Sequence, residues 1–159
     1  MKKLFVSTAM ALLLVTLIAG IGLAALPRAE ARGTFITTST TIQNAMDDKF
    51  NTIIELSSTV LYTGTLQGTS TLQGTLTVRR DGSATFRGIE TFTGLVDGIP
   101  GTLTFKLEGS SDLYQAIQIK NIITNGTGGL SNLQGQISKV GIIKDNGPVG
   151  TYAGQINHQ

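Results

Sequence analysis

Cysteine and tryptophan are absent, and histidine occurs once, at His158. Without a thiol there is no disulfide framework, no cysteine nucleophile and no thiolate metal site. His158 lies one residue from the C-terminus, a frayed position that makes a poor catalytic platform. No Ser–His–Asp set can be assembled around it, and beyond Asp47-Asp48 there is no acidic cluster to hold a metal. No metal and no cofactor is expected. Aromatic residues make up 6% of the chain and are spread thinly, which leaves little stacking surface for sugars or single-stranded nucleic acid. A helical apolar period is also missing from Gly33 onward. The one candidate, residues 42–50, is short, ends in Asp47-Asp48-Lys49, and reads as a turn or a single helical turn.

What is present begins with an address. Lys2 and Lys3 precede an uncharged run over residues 4–26, and Ala29-Glu30-Ala31 follows with small residues at the two positions a signal peptidase reads. This is the pattern of a secretory signal peptide over residues 1–31, leaving a single domain over 32–159. The run is also long enough to span a bilayer, so an uncleaved membrane anchor is the alternative. No Cys follows it, which excludes a bacterial lipoprotein. Cleavage removes Lys2, Lys3, Arg28 and Glu30, so nine of the 12 basic and nine of the 10 acidic residues remain. The exported chain is then neutral and carries no electrostatic footprint for nucleic acid. Its expected location is secreted, periplasmic or cell-surface, with membrane contact only through the leader if that is retained.

The clearest local signal is residues 82–107. Phe86, Gly88, Glu90 and Phe92 fall on one face by period-2 alternation, and Arg87, Ile89, Thr91 and Thr93 on the other. Asp97-Gly98 then supplies the dipeptide that a tight hairpin turn prefers, and alternation resumes with Leu103, Phe105 and Leu107. Residues 66–78 alternate as cleanly, and Thr-Leu-Gln-Gly at 65–68 and 71–74 reads as one long Thr/Gly-rich strand rather than a solenoid. Strands are predicted at about 34–42, 51–63, 65–79, 83–95, 101–109, 114–124, 128–140 and 149–157, with Asn125-Gly126 closing the sixth. Eight strands with short connections suit an all-β, eight-stranded antiparallel meander barrel without free edges. An antiparallel sandwich is the alternative.

Read together, Tyr62-x-Gly64-x-x-x-Gly68, Asp81-Gly82-Ser83-Ala84, Gly88-x-Glu90-x-Phe92-x-Gly94-x-x-x-Gly98-x-x-Gly101-x-Leu103-x-Phe105 and Gly126-Thr127-Gly128-Gly129-Leu130-x-x-Leu133-x-Gly135 resemble the bacterial domain of unknown function (DUF) 3224 family over about residues 33–157. The resemblance implies an eight-stranded meander barrel related in shape to allene oxide cyclase and dirigent proteins. It implies no particular activity.

Glu90 is the residue most open to chemistry. Alternation places it on an apolar face with Phe86 and Phe92, and Phe105 faces the same way on the next strand. A carboxylate in such a lumen would have a raised pKa and could act as a general acid or base or bind a cation. The alternative is a twist near Gly88 that leaves Glu90 paired with Arg87 or Lys106 at a barrel end. Gly126-Thr127-Gly128-Gly129 lacks the Gly-Lys-Ser/Thr ending of a phosphate loop and reads as turn glycines. Asn125-Gly126-Thr127 is an N-glycosylation sequon, relevant only in a eukaryotic secretory host. The resulting expectation is a non-enzymatic exported barrel that binds a small apolar ligand through Glu90, Phe86, Phe92 and Phe105. A cyclase- or isomerase-like enzyme using the lumen and a surface structural or interaction protein are the alternatives.

Overall fold

The computed structural model describes residues 29–113 and 115–158. The leader's charged start and apolar run lie outside the described residues. Eight strands follow in order: β1 (Ala29–Asp47), β2 (Asn51–Gly64), β3 (Leu66–Arg79), β4 (Ala84–Val96), β5 (Ile99–Ser111), β6 (Ala116–Gly128), β7 (Leu133–Lys144) and β8 (Gly147–His158). Each pairs antiparallel with its neighbour in sequence, and residues 29–36 of β1 pair with 149–156 of β8 to close the barrel. Closure leaves every paired backbone group inside a ladder, which suits a chain without disulfides.

The turn chemistry follows the sequence. Asp97 and Gly98 both take positive φ, 49° and 80°, between the paired residues Val96 and Ile99. That is the two-residue geometry whose twist matches the flanking strands. At the β3–β4 turn the Asp81 carboxylate accepts the Ser83 N–H at 2.9 Å and its hydroxyl at 2.7 Å. These bonds, the Ser83 hydroxyl first, hold the exposed Asp81 carboxyl below its ordinary pKa.

Three elements differ from the sequence expectation. Residues 42–47 are strand, not turn: β1 is 19 residues long and its outer half pairs with 52–59 of β2. Register shifts near Thr38 and Gln43 absorb extra residues and hide the alternation that would have marked a strand. Second, β6 continues through Asn125-Gly126 to Gly128, because 125–128 pair with 101–104 of β5 across another register shift. The turn then falls at 129–132 and β7 starts at Leu133 rather than near 128. Third, β1 begins at Ala29, so cleavage after Ala31 would remove its first three residues, including the buried Ala31.

Inside, the two ends of the barrel differ. The end that holds the β2–β3, β4–β5 and β6–β7 turns is solid, filled by Leu66, Phe92, Leu103, Phe105, Leu130 and Tyr152. Leu130 comes from the β6–β7 turn and is fully buried, so the turn itself plugs that end. Tyr152 braces it by donating to the Thr63 carbonyl at 3.0 Å and accepting the Leu66 N–H at 2.8 Å.

Candidate functional site

Five inward positions on five strands meet at the middle of the barrel. Alternation places Tyr62 (β2), Ser70 (β3), Glu90 (β4), Asn121 (β6) and Lys139 (β7) on the inner face, all buried. Glu90 Oε1 accepts the Tyr62 hydroxyl at 2.7 Å and the Ser70 hydroxyl at 2.5 Å. Its Oε2 accepts Asn121 Nδ2 at 2.7 Å and Lys139 Nζ at 2.8 Å. The carboxylate is thus saturated, with both lone pairs of each oxygen engaged. Lys139 reaches it with 1% of its surface exposed and Glu90 with none. The ammonium also lies 5.2 Å from the Phe35 ring centre and 5.0 Å from that of Tyr62, within cation–π range.

This arrangement corrects the expectation for Glu90. Burial alone pushes its carboxyl up, as anticipated, but the Lys139 ammonium and the hydrogen bonds from Lys139, Ser70 and Tyr62 outweigh burial and hold it below its ordinary value. Glu90 is a fixed anion with no free acceptor site, not a neutral acid poised to donate a proton. Its partner is neither Arg87 nor Lys106. Arg87 points outward, and Lys106 makes an exposed ion pair with Glu108 at 3.2 Å. Burial, then the charge on Glu90, drives the Tyr62 hydroxyl well above its ordinary pKa, so Tyr62 stays a proton donor to the carboxylate. Among the described residues no group of three or more His, Cys, Asp or Glu could hold a metal ion.

Beyond the network, toward the β3–β4, β5–β6 and β7–β8 turns, the interior is hollow. A cavity of about 210 Å³ is walled by apolar side chains including Leu56, Leu72, Phe86, Ile117 and Ile143. Lys139 and Phe35 lie at its inner end and Thr40 and Ser110, both exposed, at its rim. Glycines occupy inner positions on this wall, with Gly74 paired opposite Gly88. A Cβ on Gly74 would come within 2.5 Å of Phe86 Cζ and 2.4 Å of the Arg87 carbonyl oxygen. The Phe86 ring tip therefore packs directly against the glycine at the wall.

Of the residues singled out from sequence, Phe86 lines the cavity, while Glu90 lies beneath it as the anchor of Lys139. Phe92 and Phe105 are fully buried in the solid half and do not line the cavity. His158 ends β8 opposite Leu133. Sequence reasoning missed Lys139, Asn121, Tyr62 and Ser70. The signal was available for Lys139: Leu133, Gly135, Ile137, Lys139, Gly141 and Ile143 alternate on one face, and a lysine in that apolar series is anomalous.

A closed eight-stranded meander with one solid half, one hollow half and an ion pair at their boundary defines the class of protein. The family model described as "Protein of unknown function (DUF3224)" matches residues 31–151, and the chain belongs to that family. A crystal structure of a DUF3224-family protein of unknown function from Shewanella oneidensis MR-1 is similar in fold. It has a TM-score of 0.68 and 17% sequence identity, over 84% of this chain and 99% of that one. No curated protein matches the chain.

Proposed function

We propose that this protein is an exported barrel that binds a small apolar molecule in its lumen. The observation that carries this reading is the cavity itself. It is walled by leucine, isoleucine and phenylalanine, and its rim reaches exposed residues. Apolar cavities of about 150 Å³ accept a molecule the size of benzene, so 210 Å³ suits a ligand of about eight heavy atoms. A binder is favoured over the cyclase- or isomerase-like reading because Glu90, the acid/base candidate of that reading, is ionised and saturated and so has no lone pair free to take a proton from a ligand. Export rests on the Lys2-Lys3 start, the apolar run and Ala29-x-Ala31.

The test is native mass spectrometry on protein purified gently from a producing host. The expected result is a reproducible extra mass, displaced by small hydrocarbons and lost in Ile117→Trp, where the indole fills the cavity. A wild-type protein that stays apo against a panel of molecules of about eight heavy atoms would overturn the reading. Recovery of the protein outside the cytoplasm, with an N-terminus past the apolar run, tests export separately.

A further inference from the structure

The cavity has a chemical polarity that the apolar walls alone do not specify. Lys139 is the ionisable residue among those lining it. An ammonium has three protons to donate. One goes to Glu90 Oε2, and among the described residues Nζ makes no second hydrogen bond. The Phe35 and Tyr62 rings attract the charge but accept no conventional hydrogen bond. Two other hydroxyls on the inner wall are already engaged. Thr37 donates to the Pro148 carbonyl at 2.7 Å, and Ser58 bonds Thr40 at 2.9 Å. A donor with protons to spare thus lies at the inner end of an apolar pocket, nearly fully buried.

The charge state selects the kind of acceptor. Glu90 and Lys139 together sum to zero, and Glu90 is held as the anion. A ligand carboxylate bound to Lys139 would share that ammonium with Glu90 and leave a net negative charge in a water-poor interior, which is strongly disfavoured. A neutral acceptor adds no charge. We infer that the natural ligand is a small lipophilic carbonyl compound (ketone, aldehyde or ester) whose oxygen accepts a hydrogen bond from Lys139 while its hydrocarbon body fills the cavity. This rests on the lumen-binding reading and adds the functional group.

Three probes of matched size decide it: acetylcyclohexane, ethylcyclohexane and cyclohexanecarboxylate, titrated into the protein purified from a producing host. A hydrogen bond from a charged donor should make the ketone bind at least about tenfold more tightly than the hydrocarbon. The carboxylate should bind more weakly than the ketone. The bound ketone's C=O stretch should move to lower frequency than in cyclohexane solvent. In the double variant Glu90→Gln/Lys139→Met, which removes both charges together, the ketone-to-hydrocarbon ratio should fall to about one. Equal affinity for ketone and hydrocarbon in the wild type overturns the inference while leaving the lumen reading standing, as does tightest binding by the carboxylate. Failure to bind any of the three overturns both. Should the double variant not fold, an unshifted C=O stretch in the wild-type complex is by itself sufficient to reject the inference.

Discussion

Replacing Lys139 by methionine removes the countercharge from a carboxylate that has no exposed surface. The methionine keeps most of the side-chain volume, so the change is chiefly electrostatic. Breaking a buried ion pair by deleting one partner costs about 3–5 kcal/mol, because the remaining ion is buried uncompensated. That is a large share of the roughly 5–15 kcal/mol by which a domain is stable. Three hydrogen bonds, from Tyr62, Ser70 and Asn121, survive the substitution and place the expected loss toward the lower end of the range. The pH dependence gives a second readout. In the wild type the folded Glu90 carboxyl is held below its ordinary value of 4.5. Its contribution is therefore present above pH 4.5 and lost as pH falls through the depressed folded value. Without Lys139 the two largest opposing influences vanish, and because burial is the largest influence of all the folded value is expected to rise above 4.5. The sign then reverses: the variant's Glu90 term is most favourable at low pH and is lost as pH rises through the raised value. Urea titrations at pH 7 and pH 4.5 measure both effects. The double variant Glu90→Gln/Lys139→Met should regain at least half of the loss at pH 7, since it buries no charge. A Lys139→Met protein within about 1 kcal/mol of wild type at pH 7, with an unchanged pH profile, would refute the reasoning.

Other predictions concern the supports of the site. Tyr152→Phe leaves the buried Leu66 N–H without its acceptor and should cost about 1–3 kcal/mol in urea denaturation, with little change in the lumen. Gly98→Val forces a β-branched residue to φ 80° in the β4–β5 turn and should cost about 1–2 kcal/mol by thermal melting. Gly74→Ala pushes a methyl against Phe86 and the β4 backbone. It should destabilise by about 1–3 kcal/mol and weaken binding of ethylcyclohexane, since the displaced ring lines the cavity.

Much of the architecture was legible before any coordinates. Period-2 alternation put Glu90 on an inner face, and the structure leaves none of it exposed. Asp97-Gly98 marked a two-residue turn, and both residues take the positive φ that turn needs. Eight strands with short connections pointed to closure, which the β1–β8 pairing provides. Local rules failed where pairing partners decide. Residues 42–47 carry no clean alternation because the register shift near Gln43 interrupts it, and only the facing β2 makes them strand. The Asn125-Gly126 dipeptide resembles a turn, yet β5 keeps it in a ladder. The site divides along the same line. Strand alternation by itself determined that Glu90 faces inward, because side-chain direction is a property of a single strand. That Lys139 lies 2.8 Å from it, that Tyr62, Ser70 and Asn121 saturate the carboxylate, and that the hollow stops at this level was decided only by the closed barrel. Those five residues come from five strands, and their heights along the barrel depend on the register of every hairpin between them, shifts included. The direction of the Glu90 pKa shift follows from that accumulated register: burial acting alone would raise it, and a lysine 49 residues away, together with the Ser70 and Tyr62 hydroxyls, reverses it.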